Sequence, residues 1–203
     1  GNRFTQNAVQ PNNPDIQTMG IDIESNTSDV IITGNYFKNL QFGIYHSLNL
    51  SRAQNNIRVS YNVFESIGLT DNIWAGPILI AAEGTAPAYT NLYYDNNTMT
   101  ASTAYNVGAG ITFGLYAGSA DARIRNNIIK GFMRPMWVAA TTNPDTVYYQ
   151  NNQSNNTSDN IYYSSGRAIG TLISAGNQTG DPIFVTPSDL HLQSTSPCRD
   201  AGI

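Results

Sequence analysis

Two acidic residues, Asp22 and Glu24 in the stretch "GIDIE", are separated by a single isoleucine. On a strand both carboxylates point to one face and stand about 6.5–7 Å apart at the backbone. Inverting glycosidases use that range, with one carboxylic acid protonating the leaving group and its partner activating water. One of the pair must then keep its proton near neutral pH. A second set is basic and aromatic: Arg58, Tyr93, Arg123 and Tyr148 recur on successive strand-like runs, with Asp95 and Arg125 at the position two residues further on. Guanidinium forks bind carboxylates and sulfates, and flat tyrosine faces suit sugar rings. The same residues can instead satisfy one another as a surface ladder of cation–π contacts and one ion pair. Candidate catalytic residues are therefore Arg125, Arg123, Asp95, Asp22 and Glu24. Candidate substrate-binding residues are Arg58, Tyr93, Tyr148, Tyr45 and Trp137.

Other reactive side chains read more simply. His46 falls on the inward phase of its run, beneath Ile23, where a buried, hydrogen-bonded imidazole is expected rather than a base. His191 in "DLHLQ" reads as packing or capping. Cys198 is alone, so it forms no intramolecular disulfide, and a small half-apolar side chain packs well there.

These residues need a scaffold, and composition bounds it. The 203 residues are 40% apolar and only 12% charged, with net charge −4. Asparagine fills the gap at about one residue in eight. The two lysines form no basic run, which argues against a nucleic-acid partner, since that binding rests on clustered cations. A polar, nearly uncharged surface suits a polyhydroxylated ligand. No apolar stretch reaches the length of a membrane span, so membrane insertion is not expected.

Periodicity supplies the architecture. Aligned on one asparagine, the chain reads "GNRF" at Asn2, "TGNYF" at Asn35, "SYNVF" at Asn62, "DNNTM" at Asn97, "RNNII" at Asn127, "QNNQS" at Asn152 and "AGNQT" at Asn177. Before all but the first lies an alternating run: "VIIT", "IRVS", "LYYD", "ARIR", "VYYQ", "LISA". Between them comes a second apolar run, usually opened by glycine: "GIDIE", "GIYHS", "GPILI", "GITFG", then "PMWVA". Seven turns of strand, asparagine bend, strand and loop predict an all-β solenoid whose equivalent positions stack about 4.8 Å apart. The asparagine is expected to take the left-handed bend, and stacked amides to bond each other as an asparagine ladder. Leucine-rich repeats also stack asparagines, but their L-x-x-L-x-L pattern is absent. The uneven spacing predicts rim loops at 5–19, 65–75, 82–90 and 99–108, the expected walls of a groove.

The repeating "GNYF…GIYHS" pattern resembles the right-handed parallel β-helix repeats of the pectate-lyase-like superfamily. The ending "GDPIFVTPSDLHLQSTSPCRDAGI" is similar to the C-terminal segment of many bacterial members. The resemblance spans essentially the whole chain. It implies about seven right-handed coils over residues 1–179 and a capping segment over 180–203, with "DPIFV" crossing the last coil and "LHLQSTSPCRDAG" packing beyond it. "GNRF" reads as mid-coil, so upstream coils or another chain are expected to cover that end.

For function, the resemblance implies a polysaccharide partner and a secreted or cell-surface location, extracellular or periplasmic. Related lyases take a proton beside a uronate carboxyl with Arg or Lys, while Ca²⁺ or another cation neutralises that carboxyl. Arg58, Arg123 and Arg125 are positionally available; no acidic cluster resembles a Ca²⁺ site, so no cofactor is expected, with Ca²⁺ left open by the resemblance. Related polygalacturonase-like enzymes carry Gly-His-Gly and Arg-Ile-Lys motifs. Both are absent, "RIR" at 123–125 being only an echo. The resemblance leaves open a lyase-like enzyme on an acidic glycan, a non-catalytic adhesin or tailspike-type module, and a glycoside hydrolase using Asp22 and Glu24.

Overall fold

The computed structural model describes residues 1–6, 18–24, 26–49, 53–68, 74–83, 89–101, 108–114, 120–139 and 144–199. The regular structure in them is all β, and three parallel sheets hold nearly all of it. Sheet A contains Arg3–Thr5, Tyr36–Lys38, Val63–Ile67, Thr98–Ala101, Ile128–Lys130, Gln153–Asn155 and Gln178–Thr179. Sheet B contains Met19–Ile23, Phe42–Asn49, Gly76–Glu83, Ala109–Phe113, Arg134–Val138 and Tyr162–Tyr163. Sheet C contains Ser28–Thr33, Gln54–Ser60, Tyr89–Asp95, Ala120–Arg125, Thr146–Gln150 and Thr171–Ala175. The chain visits A, B and C in rotation, and each strand pairs in parallel with the third strand before or after it. That topology is compatible with a parallel β-helix solenoid. Most of the rim positions at 5–19, 65–75, 82–90 and 99–108 lie outside the described residues.

Period-two alternation turns one side of every strand inward, and parallel register stacks like upon like. Phe4, Phe37 and Phe64 stack down sheet A with ring centroids 4.9 and 4.7 Å apart and planes within 8°. The rung spacing of a parallel sheet holds the rings face to face. Met99, Ile129 and Ser154 continue the column. Sheet B adds Ile44, Ile78, Ile111 and Met136, and sheet C adds Ile57, Leu92, Ala122 and Val147, all essentially buried. The glycine that opens the sheet B runs has a steric cause. A Cβ on Gly43 would lie 2.5 Å from the Phe64 ring and 2.6 Å from the Pro77 carbonyl oxygen.

At the corner between sheets C and A the asparagines bond in series. Each Nδ2 donates to the next Oδ1: Asn35 to Asn62, Asn62 to Asn97 and Asn97 to Asn127 at 3.1 Å, Asn127 to Asn152 at 3.0 Å, and Asn152 to Asn177 at 3.1 Å. The backbone N–H of each donates to the same oxygen, and a second Nδ2 hydrogen reaches a carbonyl one coil back, as from Asn97 to Val59. The left-handed bend falls one residue earlier than expected. Gly34, Tyr61, Asn96, Asn126, Asn151 and Gly176 have φ between 52° and 66°, and the bonded asparagines do not. The two duties separate because an amide that must enter the interior cannot also sit at the outermost point of the bend.

The corner between sheets B and C is filled by a buried polar group. His46 Nδ1 lies 2.9 Å from Gln54 Oε1, and Nε2 lies 3.1 Å from the Tyr94 hydroxyl. Gln54 Nε2 donates to the carbonyls of Ile23 and Glu24, so its Oε1 must accept and His46 Nδ1 must carry the hydrogen. Nε2 then accepts from Tyr94. Burial holds the His46 pKa down at about 4, so the ring is neutral.

The C-terminal segment turns back on the sheets. Phe184–Thr186 and Asp189–Leu192 form an antiparallel hairpin that folds back along the outside of sheet A. Asp181 pairs with Lys130 at 2.6 Å, and Phe184 lies under the same ammonium, two charge contacts that draw the segment backward. The last sheet C strand stays exposed, with Leu172 and Ile173 at 38% and 37%.

Candidate functional site

Sheet C builds a continuous outer wall. Its register aligns Ile31, Arg58, Tyr93, Arg123, Tyr148 and Ile173 in one outward column, and Thr33, Ser60, Asp95, Arg125, Gln150 and Ala175 in the next. The Arg58 guanidinium lies 4.7 Å from the Tyr93 ring centre; Arg123 lies 5.3 Å from Tyr93 and 5.5 Å from Tyr148. Tyr93 is therefore covered on both faces by cations, which leaves its edge, and not a flat face, for any ligand. Arg125 grips Asp95 with two bonds, Nε to Oδ1 at 3.2 Å and Nη2 to Oδ2 at 3.3 Å, while Arg58 reaches Asp95 at 4.0 Å. The hydrogen bond to Asp95 raises the Arg125 pKa, so its guanidinium stays charged. Asp95 is 5% exposed and serves that pair. Arg123 is exposed, and no carboxylate pairs with it among the described residues. Asp121 lines the same shallow hollow without an ion pair to it.

The remaining candidates lie on sheet B. Asp22, Tyr45, Leu79, Thr112, Trp137 and Tyr162 share one outward column there. Asp22 and Glu24 approach closely enough to hydrogen-bond each other. Partial burial, then the Glu24 charge and that bond, raise the Asp22 pKa. Tyr45 packs beside Phe42, and Trp137 stacks on Trp74 at 4.8 Å with its Nε1–H on Ser164. The column does not form an open trough, because Leu79 and Thr112 between these aromatics are buried. The ten candidates thus divide between two faces: Arg58, Tyr93, Asp95, Arg123, Arg125 and Tyr148 on one, Asp22, Glu24, Tyr45 and Trp137 on the other.

A third cluster escaped the sequence reading. On the outside of sheet A, Glu65 is 6% exposed, accepting from the Tyr36 hydroxyl and pairing with Lys38 at 2.6 Å. Burial and the Glu65 carboxylate raise the Tyr36 pKa, and the bond to Glu65 raises that of Lys38. Arg3 lies 4.9 Å over the Tyr36 ring. The signal was present in the residues one and three after each corner asparagine, which alternate as the sheet C positions do. Among the described residues no group of three or more His, Cys, Asp or Glu could hold a metal ion, and no helix is long and apolar enough to cross a membrane.

No family model, curated protein or solved structure matches the chain.

Proposed function

We infer that this chain is a right-handed parallel β-helix of the pectate-lyase-like kind, with about seven coils and an asparagine ladder, that holds an acidic polysaccharide along the outer face of sheet C. Right-handedness follows the strong preference of parallel crossovers. The observation that carries the functional reading is Arg123, an exposed guanidinium ordered between Tyr93 and Tyr148 with no carboxylate paired to it among the described residues. Two stacked rings hold its plane, so its outward N–H groups are free to fork onto a carboxylate or sulfate at low entropic cost. Arg58 stands two rungs away, about 9.6 Å, so a chain lying along the wall meets two cations of the same column. Extracellular or cell-surface polysaccharide is the natural source of such a ligand.

The chemistry favours holding over cleaving. β-Elimination needs a base, and Arg125 is kept protonated and already paired by Asp95, so it is not suited to take a proton. A stiff binding module of the adhesin or tailspike kind accounts for that arrangement. A second reading, glycoside hydrolysis, rests on the raised Asp22 pKa beside Glu24.

Binding of polygalacturonate and of a sulfated glycosaminoglycan, followed by calorimetry, tests the main reading. Arg123→Ala is expected to weaken binding about tenfold, the loss of roughly 1.4 kcal/mol. Equal affinity in the variant, or no binding of either polymer, removes the proposal. Ultraviolet-absorbing unsaturated products would convert it into a lyase.

A further inference from the structure

Between the returning hairpin and sheet A runs a groove of about 620 Å³, within the range of small-ligand sites. Its floor is one outward column from four successive rungs, including Arg3, Tyr36 and Val63, with Glu65 beside it. Its wall is the hairpin tip, with Asp189, Leu190 and His191. This is not the sheet C wall, and its chemistry is different.

The floor carries a carboxylate that packing alone does not call for. Burying Glu65 costs several kcal/mol unless it is paired, and the sequence supplies both partners, Tyr36 and Lys38. A carboxylate offers about four acceptor sites; these two donors take two, and the group is fixed for the rest. The opposite wall is equally well set. Thr186 Oγ1 accepts from the backbone N–H groups of Ser188 and Asp189, and Asp189 Oδ1 accepts from the His191 backbone and faces its Nδ1 at 2.5 Å. The hydrogen bonds to His191 hold the Asp189 carboxyl below the usual range, so it is an acceptor. Val63 and Leu190 supply apolar surface between the polar groups. Lys38, which stands outside the groove lining, already pairs with Glu65, and within the lining Arg3 offsets Asp189 in formal charge, so the groove does not select strongly for an ion.

We propose that this groove is a second binding site, for a neutral oligosaccharide whose C–H face packs on Val63 and Leu190. Its hydroxyls donate to Asp189 and Glu65, and one hydroxyl oxygen accepts from Arg3. Ligand at this site leaves sheet C free, so the chain holds an acidic polymer and a neutral glycan at the same time on different faces.

The full chain is titrated calorimetrically with cellotriose, maltotriose and mannotriose to millimolar concentration, and separately with trigalacturonate. Saturable binding of at least one neutral trisaccharide is expected. It should weaken about tenfold in Asp189→Ala and in Leu190→Ser, and stay unchanged in Arg123→Ala. Both substitutions lie at the hairpin tip, and circular dichroism checks that the sheets persist. The site is overturned by no saturable binding of any neutral trisaccharide, or by binding indifferent to both hairpin substitutions. The neutral class is overturned if trigalacturonate alone binds and Leu190→Ser abolishes it. Trigalacturonate binding lost only in Arg123→Ala, with no neutral ligand bound, overturns this groove and sustains the sheet C reading.

Discussion

Asn97 shows how much one side chain can hold. It is 1% exposed, its oxygen accepts from the backbone and side-chain nitrogens of Asn62, and its nitrogen donates to Asn127 and to the Val59 carbonyl. All four of its hydrogen-bonding capacities are used. Asn97→Ala orphans partners in both neighbouring coils, each costing about 1–3 kcal/mol, so a loss of at least about 3 kcal/mol is expected in chemical denaturation. Tyr61 is the opposite case, a 66% exposed tyrosine at φ 56° where the other corners use glycine or asparagine. Left-handed backbone costs a side chain about 1–2 kcal/mol, so Tyr61→Gly is expected to stabilise by about 1 kcal/mol in the same assay. The corner asparagines were legible because flanking alternation repeats around them. Which residue takes the bend was not, since in "DNN", "RNN" and "QNN" both neighbours are asparagine and the two duties look alike in a string of letters.

Strands and corners impose their own tests. Gly43→Ala pushes a Cβ into the Phe64 ring and the Pro77 carbonyl. Overpacking of this kind costs about 1–3 kcal/mol, and a lowered thermal midpoint with unchanged circular dichroism is the expected result. The B–C corner carries a pH dependence. His46 has a folded pKa of about 4 against 6.5 when exposed, so the unfolded chain binds the extra proton between those values. Its contribution, on the order of 3 kcal/mol, is complete above pH 6.5 and is lost as pH falls toward 4. Melting His46→Gln beside the unaltered chain over that window should give a flatter curve. The outward columns of sheet C were readable from alternation alone, because the paired register holds from Val30 to Thr33 and in every coil after it. The hairpin's return was not readable. It depends on Lys130 meeting Asp181 across 51 residues with no period to announce it.

At the scale of the molecule, a chain of net charge −4 gathers Arg58, Arg123 and Arg125 on one face. The attraction of the proposed acidic polymer to that face would be screened by salt over about 10 Å at 0.1 M. Its affinity should fall as ionic strength rises, and the combined Arg58→Ala and Arg123→Ala chain should lose most of that dependence in titrations across a salt series. Repeat length and alternation made two strands of each repeat legible, the run before the asparagine and the glycine-led run, but not the short strand after the asparagine that builds sheet A. The division of candidate residues between faces was only half legible, since sheet A's outer surface gains meaning from register and from a segment that returns over it.

The interior stack is not uniform. Phe4, Phe37 and Phe64 give way to Met99, Ile129 and finally Ser154, and the last sheet C strand is exposed along its whole length. In a stacked array each layer is secured chiefly by its neighbours, so cohesion thins toward the later layers. Unravelling therefore has a preferred starting point, and deuterium uptake should sweep from Thr171–Ala175 back toward Gln54–Ser60. A pull on the late end would peel the molecule layer by layer, while the aromatic pile at the early end holds as the anchor.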